Sequence, residues 1–383
     1  MRAWHLTAFN TPYTLTPSQP TPHPILPHDI LIRVLACSYC HTDALVAAGA
    51  VPPQPALPHI GCHEFVGRVV AFFRDPDNPA DAAVAPAEET RDGLQLQLQL
   101  GDTVAVPGRG NHVCGACLEC RADSAVSPDP AGFSVYCPAS GAGLGVDRPG
   151  GFAEYAVVDA RQVARVPEVL APCEVAPLMC AGLTIFVALR KLGLRKGDRV
   201  GVVGCGGGLG HLGLQFAVKM GLRVHGFDMG KRALGLARGL GTGAEVVDVR
   251  ERGAEGVRRE IGREDGRVFF EEMGLDAVVL LAESQEAWDY AVGLVRNGGK
   301  MMVLSFPPAG FRLNPFDLVI RRVSVEGSLI GSNRAMAEMF AFCVEHGVRA
   351  KIKRYPFEKL NELVEDYHQG EPGKLVLDME TST

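Results

Sequence analysis

Thiols, imidazoles and carboxylates are concentrated in one short stretch. Cys40-His41-Thr42-Asp43 is followed some twenty residues later by Gly61-Cys62-His63-Glu64. Thiolate, imidazole and carboxylate are the groups that hold Zn²⁺, at about 2.0–2.3 Å each. Two ligands from one stretch do not close a site, and the candidate third is Cys180, in Leu178-Met179-Cys180-Ala181-Gly182-Leu183-Thr184. Three protein ligands leave one corner of the tetrahedron open, as a catalytic zinc requires.

A second constellation is Cys114-x-x-Cys117-x-x-Cys120, with Cys137 further on. Four thiolates close a tetrahedron, and a closed site is structural. Coincidental free thiols, and a knuckle that is partly empty or oxidised, stay open as plainer readings. The third signal is Arg199-Val200-Gly201-Val202-Val203, then Gly204-Cys205-Gly206-Gly207-Gly208-Leu209-Gly210, a helical stretch from His211 to Met220, and Arg223-Val224-His225-Gly226-Phe227 ending at Asp228. Strand, glycine turn, helix, strand and a terminal acid form a dinucleotide-binding unit. Gly204, Gly207 and Gly210 fit the turn, and Gly208 and Leu209 complete it. Helix-start N–H groups then meet a pyrophosphate. Asp228 accepts from the adenosine ribose hydroxyls and repels a 2′-phosphate, which favours NAD(H) over NADP(H). Lys231 and Arg232 soften that preference, unless they are a solvated helix start.

These groups need a scaffold. The 383 residues suffice for two domains, and 47% hydrophobic content supports a sizeable core. With 38 basic and 44 acidic residues the net charge is −6, too mild for nucleic-acid or membrane-surface steering. No apolar run reaches the roughly 18 residues of a membrane span. The first residues show no apolar signal region, and eleven cysteines with four clustered suit thiolate ligands in a reducing compartment. The expectation is a cytoplasmic protein without nucleic-acid or membrane partners.

Along the chain, Ile30–Leu35, Phe65–Ala71, Leu94–Leu100, Thr103–Val106 and the stretch from Gly150 to Val158 read as strands, separated by a Pro/Ala/Asp-rich loop from Asp75 to Glu89. The first part is thus a Gly/Pro-punctuated β barrel or sandwich. From Arg199 onward, strands at Arg199–Val203, Arg223–Asp228, Glu245–Asp248, Asp276–Leu281, Lys300–Ser305 and Ser324–Ile330 alternate with helices, one of them Trp288–Arg296, making a doubly wound parallel sheet. Helix starts again near Pro356–Leu363, and a last strand, Lys374–Met379, returns to the first domain. The fold class is α/β.

Taken together, Cys40-His41-Thr42-Asp43, His63-Glu64, the cysteine cluster, Gly151-Phe152-Ala153-Glu154-Tyr155, Cys180-Ala181-Gly182-Leu183-Thr184, the glycine turn and Gly327-Ser328-Leu329-Ile330-Gly331 resemble the zinc-dependent medium-chain alcohol dehydrogenases, especially the yeast alcohol dehydrogenase branch. The resemblance runs through nearly the whole chain. It implies a GroES-like catalytic domain (residues 1–181, with the four-cysteine lobe at 107–140), a Rossmann NAD-binding domain (182–327) and a return to the catalytic domain (328–383). A two-cysteine, one-histidine zinc is the established catalytic set of alcohol dehydrogenases, here Cys40, His63 and Cys180, with Glu64 beside it as a transient ligand. Asp43 would fix the His63 tautomer. Thr42 would hydrogen-bond the substrate oxygen, with His41 near the pyrophosphate, Thr184 against the nicotinamide and Lys374 near a phosphate. The implied reaction is hydride transfer between a nicotinamide and an alcohol, aldehyde or ketone, in a homodimer or homotetramer paired through Ser324–Ile330.

The chain also departs from that pattern. Many relatives carry a relay histidine three residues after the Thr42 position, where this chain has Leu45, so the proton leaves by another route and carbonyl reduction becomes the working direction. Reduction of an activated C=C or C=N bond stays open as an alternative, as does a non-catalytic zinc and nucleotide-binding protein. Bulky aromatics that narrow small-alcohol pockets are replaced by Ala48-Gly49-Ala50-Val51 and Pro107-Gly108-Arg109-Gly110, which leaves room for a substrate larger than ethanol. Arg109 could meet an acidic or phenolic group, the plainer reading being an exposed loop arginine. Insertions lie within Arg74–Leu100 and between Cys120 and Cys137. Cys62 reads as a small packed residue.

Overall fold

The computed structural model describes residues 1–24, 26–73, 98–109, 111–121 and 134–381. Two compact units result, Met1–Leu183 with Gly331–Thr383, and Thr184–Ile330. Among the described residues no single helix is long and apolar enough to cross a membrane.

The first unit is built on strand Asp29–Tyr39, whose residues are almost all buried. Its β-branched and aliphatic run suits a pleated surface covered on both faces. It pairs antiparallel with Glu64–Phe72, which pairs in turn with Thr103–Pro107. On its other side it pairs antiparallel with Tyr155–Asp159 and with the late strand Lys374–Asp378. The core here includes Phe65, Phe152, Val104, Tyr39, Leu375 and Leu377. Loop residues 75–89, the insertions and residues 94–97 lie in whole or in part outside the described residues. Leu98–Leu100 form no strand, but lead through a turn into Thr103–Pro107, with Leu98 buried and Leu100 exposed.

Register decides what emerges at the sheet end. Ser38 stands opposite Glu64. Cys40, two residues on, and His63, one residue back, therefore leave the same end of neighbouring strands. Leu375 stands opposite Tyr39, so Lys374 arrives beside Cys40 from a segment more than 300 positions away.

The second unit is a six-stranded, wholly parallel sheet. Its spatial order is Glu245–Asp248, Arg223–Asp228, Arg199–Val203, Leu275–Leu280, Val295–Val303, Ser324–Gly327. Numbered along the chain this is 3-2-1-4-5-6, the doubly wound dinucleotide order. Arg199–Val203 is buried at every position, as a central parallel strand requires. Phe227, Val278, Leu280, Trp288 and Met301 fill one side.

Candidate active site

Helix His41–Ala47 begins directly after Cys40, whose N–H donates to Asp43 Oδ2 at 2.9 Å. This local turn points the other carboxylate oxygen, Oδ1, at His63 Nδ1, 2.9 Å away, with both side chains buried. A carboxylate at Nδ1 keeps the proton there and leaves the lone pair on Nε2. His63 Nε2 is itself buried, 3.9 Å from Glu64 Oε1, and among the described residues it meets no partner at hydrogen-bond geometry. Burial disfavours the imidazolium, but Asp43 and Cys40 together outweigh it and raise the His63 pKa well above its ordinary value; a metal on Nε2 would take the place of that second proton.

Cys180 ends the 3-10 turn Ala176–Met179, which packs against strands Asp29–Tyr39 and Glu64–Phe72. The donor atoms of Cys40, His63, Glu64 and Cys180 all lie within 4.8 Å of one another. Cys180 hydrogen-bonds to Cys40, which holds the Cys40 pKa well down and pushes that of Cys180 up. A soft sulfur pair, an orphaned imidazole nitrogen and a carboxylate at this spacing fit a zinc ion.

Glu64 is fully buried and its carboxylate faces Lys374, whose Nζ stands 2.9 Å from Oε1 and 2.8 Å from Oε2. The ammonium also donates to the Tyr39 carbonyl at 3.1 Å. Burial pushes the Glu64 pKa up, and the facing Lys374 ammonium pulls it back toward the charged form. The expectation for Lys374 was a cofactor phosphate. The structure shows its protein partner, Glu64, because register seats Lys374 at the end of the sheet and a buried carboxylate needs a cation; the phosphate role stays a proposal.

Thr42 is half-buried, and among the described residues its hydroxyl has no hydrogen-bond partner. His41 is exposed, its Nδ1 3.0 Å from the Tyr367 hydroxyl. Cys62 adopts φ +78 and turns its sulfur to the Ser38 and Glu64 carbonyls, outside the metal cluster. Sequence reasoning missed the clamp around this loop. A Cβ on Gly108 would stand 2.1 Å from His63 Cβ, and one on Gly145 would stand 2.2 Å from the Cys62 carbonyl carbon. Clusters of glycine near a histidine motif were the only signal, and glycine has many other uses.

In the four-cysteine lobe, Cys114 and Cys137 sulfurs are 3.7 Å apart and those of Cys117 and Cys137 are 4.0 Å apart. Four sulfurs at about 2.3 Å from one zinc would stand about 3.8 Å from each other. N–H groups of Ala116 and Cys117 donate to Cys114 Sγ at 3.4 and 3.3 Å and pull its pKa down to about 6. All four donor atoms, Cys120 included, lie within 4.8 Å. Thiolates held by amide donors at this spacing suit a tetrahedral metal.

In the second unit, strand Arg199–Val203 runs into Gly204, at φ +92, and helix Gly210–Lys219 follows. Asp228 Oδ2 accepts from Gly206 N–H at 2.7 Å, which seats the acid over the turn. Gly206 was not among the expected contact residues, yet its Cβ would fall 2.2 Å from the Ala233 carbonyl oxygen, and one on Gly210 would fall 2.1 Å from that of Gly204. At these two positions a side chain would collide with backbone, so the turn closes only on glycine there. Gly207 is exposed at its rim, with Gly208 and Leu209 half-buried beside it. Thr184 is buried in helix Ala181–Lys191, one turn after Cys180.

A GroES-like unit carrying a mixed sulfur–imidazole site, and a parallel sheet in dinucleotide order with a bare glycine turn, define a zinc-binding dehydrogenase. Residues 26–168 match the family description "Alcohol dehydrogenase GroES-like domain" and residues 208–345 match "Zinc-binding dehydrogenase". An alcohol dehydrogenase of Geobacillus stearothermophilus is 32% identical over 351 residues, 91% of each chain. One of Rhizobium meliloti is 34% identical over 362 residues, 94% of each. The alcohol dehydrogenase of Aeropyrum pernix superposes with a TM-score of 0.79 at 26% identity, covering 99% of this chain and 100% of its own. A cinnamyl alcohol dehydrogenase of Sorghum bicolor gives 0.74 at 25% identity, covering 100% and 98%. The chain belongs to the zinc-binding medium-chain dehydrogenase/reductase family. Within it, the protein is an NAD(P)-linked alcohol dehydrogenase acting on an alcohol or carbonyl substrate.

Proposed function

We propose that this protein is a zinc-dependent, NAD(H)-preferring carbonyl reductase and alcohol dehydrogenase for substrates bulkier than ethanol, allied to the yeast-like branch. The observation that carries the reading is the buried His63 Nε2 standing within 4.8 Å of the sulfurs of Cys40 and Cys180. These three residues hold the catalytic zinc, and Cys114, Cys117, Cys120 and Cys137 hold a structural one. When bound, zinc supplies Lewis acidity at the substrate oxygen and the nicotinamide gives or takes the hydride.

Asp43 keeps the His63 proton on Nδ1. Thr42, whose hydroxyl has no partner among the described residues, hydrogen-bonds the substrate oxygen and passes its proton. Leu45 carries no proton onward, so the exit runs through water and reduction is the working direction. The same gap keeps a C=C or C=N reductase as the second reading. Glu64, balanced by Lys374, stands by as a transient ligand. Gly204, Gly206, Gly207, Gly208, Leu209 and Gly210 receive the pyrophosphate, with His41 contributing; Thr184 abuts the nicotinamide. Asp228 supports the preference for NAD(H), since a 2′-phosphate would meet its charge.

Residues 1–181 and 328–383 serve as the catalytic domain and 182–327 as the cofactor domain. Edge strand Ser324–Gly327 and the exposed Phe306, Phe316, Val319 and Ile320 support a homodimer or homotetramer. Free cysteines throughout the described residues support a cytoplasmic setting. The small residues Ala48, Gly49 and Ala50, and the likeness to a cinnamyl alcohol dehydrogenase, support the larger substrate. The test is aldehyde-dependent oxidation of NADH and NADPH by zinc-replete and metal-stripped protein, with ethanol and benzyl alcohol in the reverse direction. Turnover by metal-stripped protein, or efficient ethanol oxidation with no preference for bulk, would sink the reading.

A further inference from the structure

Arg109 does not sit on an exposed loop as the plainer sequence reading has it. Gly108 runs in direct contact with His63, and Gly143 closes from the other side, where a Cβ would stand 1.7 Å from the Gly108 carbonyl oxygen and 3.2 Å from Arg109 Cα. The arginine backbone is therefore clamped one residue from a zinc-site contact. Its side chain is half-buried and donates to the Ala142 carbonyl at 3.2 Å. A guanidinium carries five N–H donors. Among the described residues no other hydrogen bond is made to it and no carboxylate lies within 4 Å.

Asp147, the acid of the neighbouring loop, is engaged elsewhere. Its two oxygens accept from the N–H groups of Ala142 and Gly143 at 3.0 and 2.7 Å. Burial lowers the Arg109 pKa, opposed by nearby Cys180, Tyr136 and Asp147. The guanidinium is thus half-buried one residue from the His63 contact, with a donor fork that the described residues leave largely unused. Such a fork matches a carboxylate in two parallel hydrogen bonds.

We propose that Arg109 selects the substrate: an alcohol or aldehyde that carries a carboxylate at the end remote from the reacting oxygen. This rests on the dehydrogenase reading above and narrows it. Arg109 binds the acid; the metal-site residues hold the oxygen; the small residues after the first metal loop leave room for the frame between.

The test compares para-carboxybenzaldehyde with its methyl ester, an uncharged near-isostere. Wild-type protein is expected to favour the acid by about 10- to 100-fold in kcat/KM, the range of a hydrogen-bonded charge, with the difference carried in KM. Arg109→Gln is expected to bring the ratio near unity, and Arg109→Lys, a point charge without the fork, to keep part of it. Calorimetric binding of benzoate, benzamide and phenylphosphonate reads the same site without turnover. Benzoate is expected to bind at least about tenfold tighter than benzamide in wild type and no tighter in Arg109→Gln. Absence of acid preference in wild type, or its full retention in Arg109→Gln, overturns the proposal. Phenylphosphonate binding about tenfold tighter than benzoate reassigns the anion to a phosphate and overturns the carboxylate. If neither aldehyde is turned over, the dehydrogenase reading fails while calorimetry still decides Arg109.

Discussion

The ammonium of Lys374 and the carboxylate of Glu64 face each other at 2.8 Å, one at 4% and the other at 0% side-chain exposure. They come from opposite ends of the chain and meet at the metal cluster. A buried pair of this kind contributes little net stability over an apolar pair, yet breaking one half strands the other charge. Lys374→Met is expected to destabilise the protein by roughly 3–5 kcal/mol, and the double variant Glu64→Gln/Lys374→Met to recover much of that loss. Urea unfolding of the three proteins checks it; equal losses in single and double variants would contradict the pairing.

Asp43 acts on the metal site through His63. Asp43→Asn keeps the shape and removes the charge that fixes the Nδ1 proton. Zinc affinity is expected to fall about 10- to 100-fold, the usual cost of losing such a partner. Competition with a chromophoric chelator measures it.

Among the described residues of the four-cysteine lobe, Val113, Cys120 and Cys137 form one small buried cluster. A bound metal would supply cohesion that so small a cluster lacks. Wild type is expected to contain two zinc ions per chain and Cys117→Ser about one, with a lower Tm. Each kcal/mol lost shifts the melting point by about 2–4 °C in a domain of about 150–250 residues. Elemental analysis and scanning calorimetry read both numbers.

A side chain at residue 206 has nowhere to go. Gly206→Ala places a Cβ 2.2 Å from the Ala233 carbonyl oxygen and disturbs the Asp228 hydrogen bond to the turn. NADH affinity, followed by nicotinamide fluorescence, is expected to fall at least about tenfold, while the metal content stays at two.

His225, in the second unit, supplies a pH dependence of stability. Burial holds its pKa below the ordinary value, helped by Arg199 at 3.0 Å from Nε2, with Glu245 opposing. Below about pH 6.5 the unfolded chain takes up a proton that the folded one refuses. Stability is therefore expected to be full above that pH and to decline as pH falls through it, until the folded histidine also charges. His225→Gln should remove this portion of the slope in unfolding measured between pH 7 and pH 5, a window set by the ordinary imidazole value of about 6.5.

Donor chemistry and its spacing were legible in the chain itself. Cys40, Asp43, His63 and the four clustered cysteines carry residue types few other purposes require in that pattern. Strand Glu245–Asp248 falls where the sequence places it, and Arg199–Val203 shows the unbroken apolar run of a central parallel strand. Local patterns of this sort are written in nearest neighbours. What only the tertiary structure decided is which distant residues share a pocket. Lys374 reaches Glu64 because Leu375 pairs with Tyr39. The backbone at Gly108 lies against His63, and the loop at Gly143 against Gly108 and Arg109, because neither glycine carries a Cβ. Strand register and backbone contact depend on packing summed over the whole unit, and no window of sequence contains that sum.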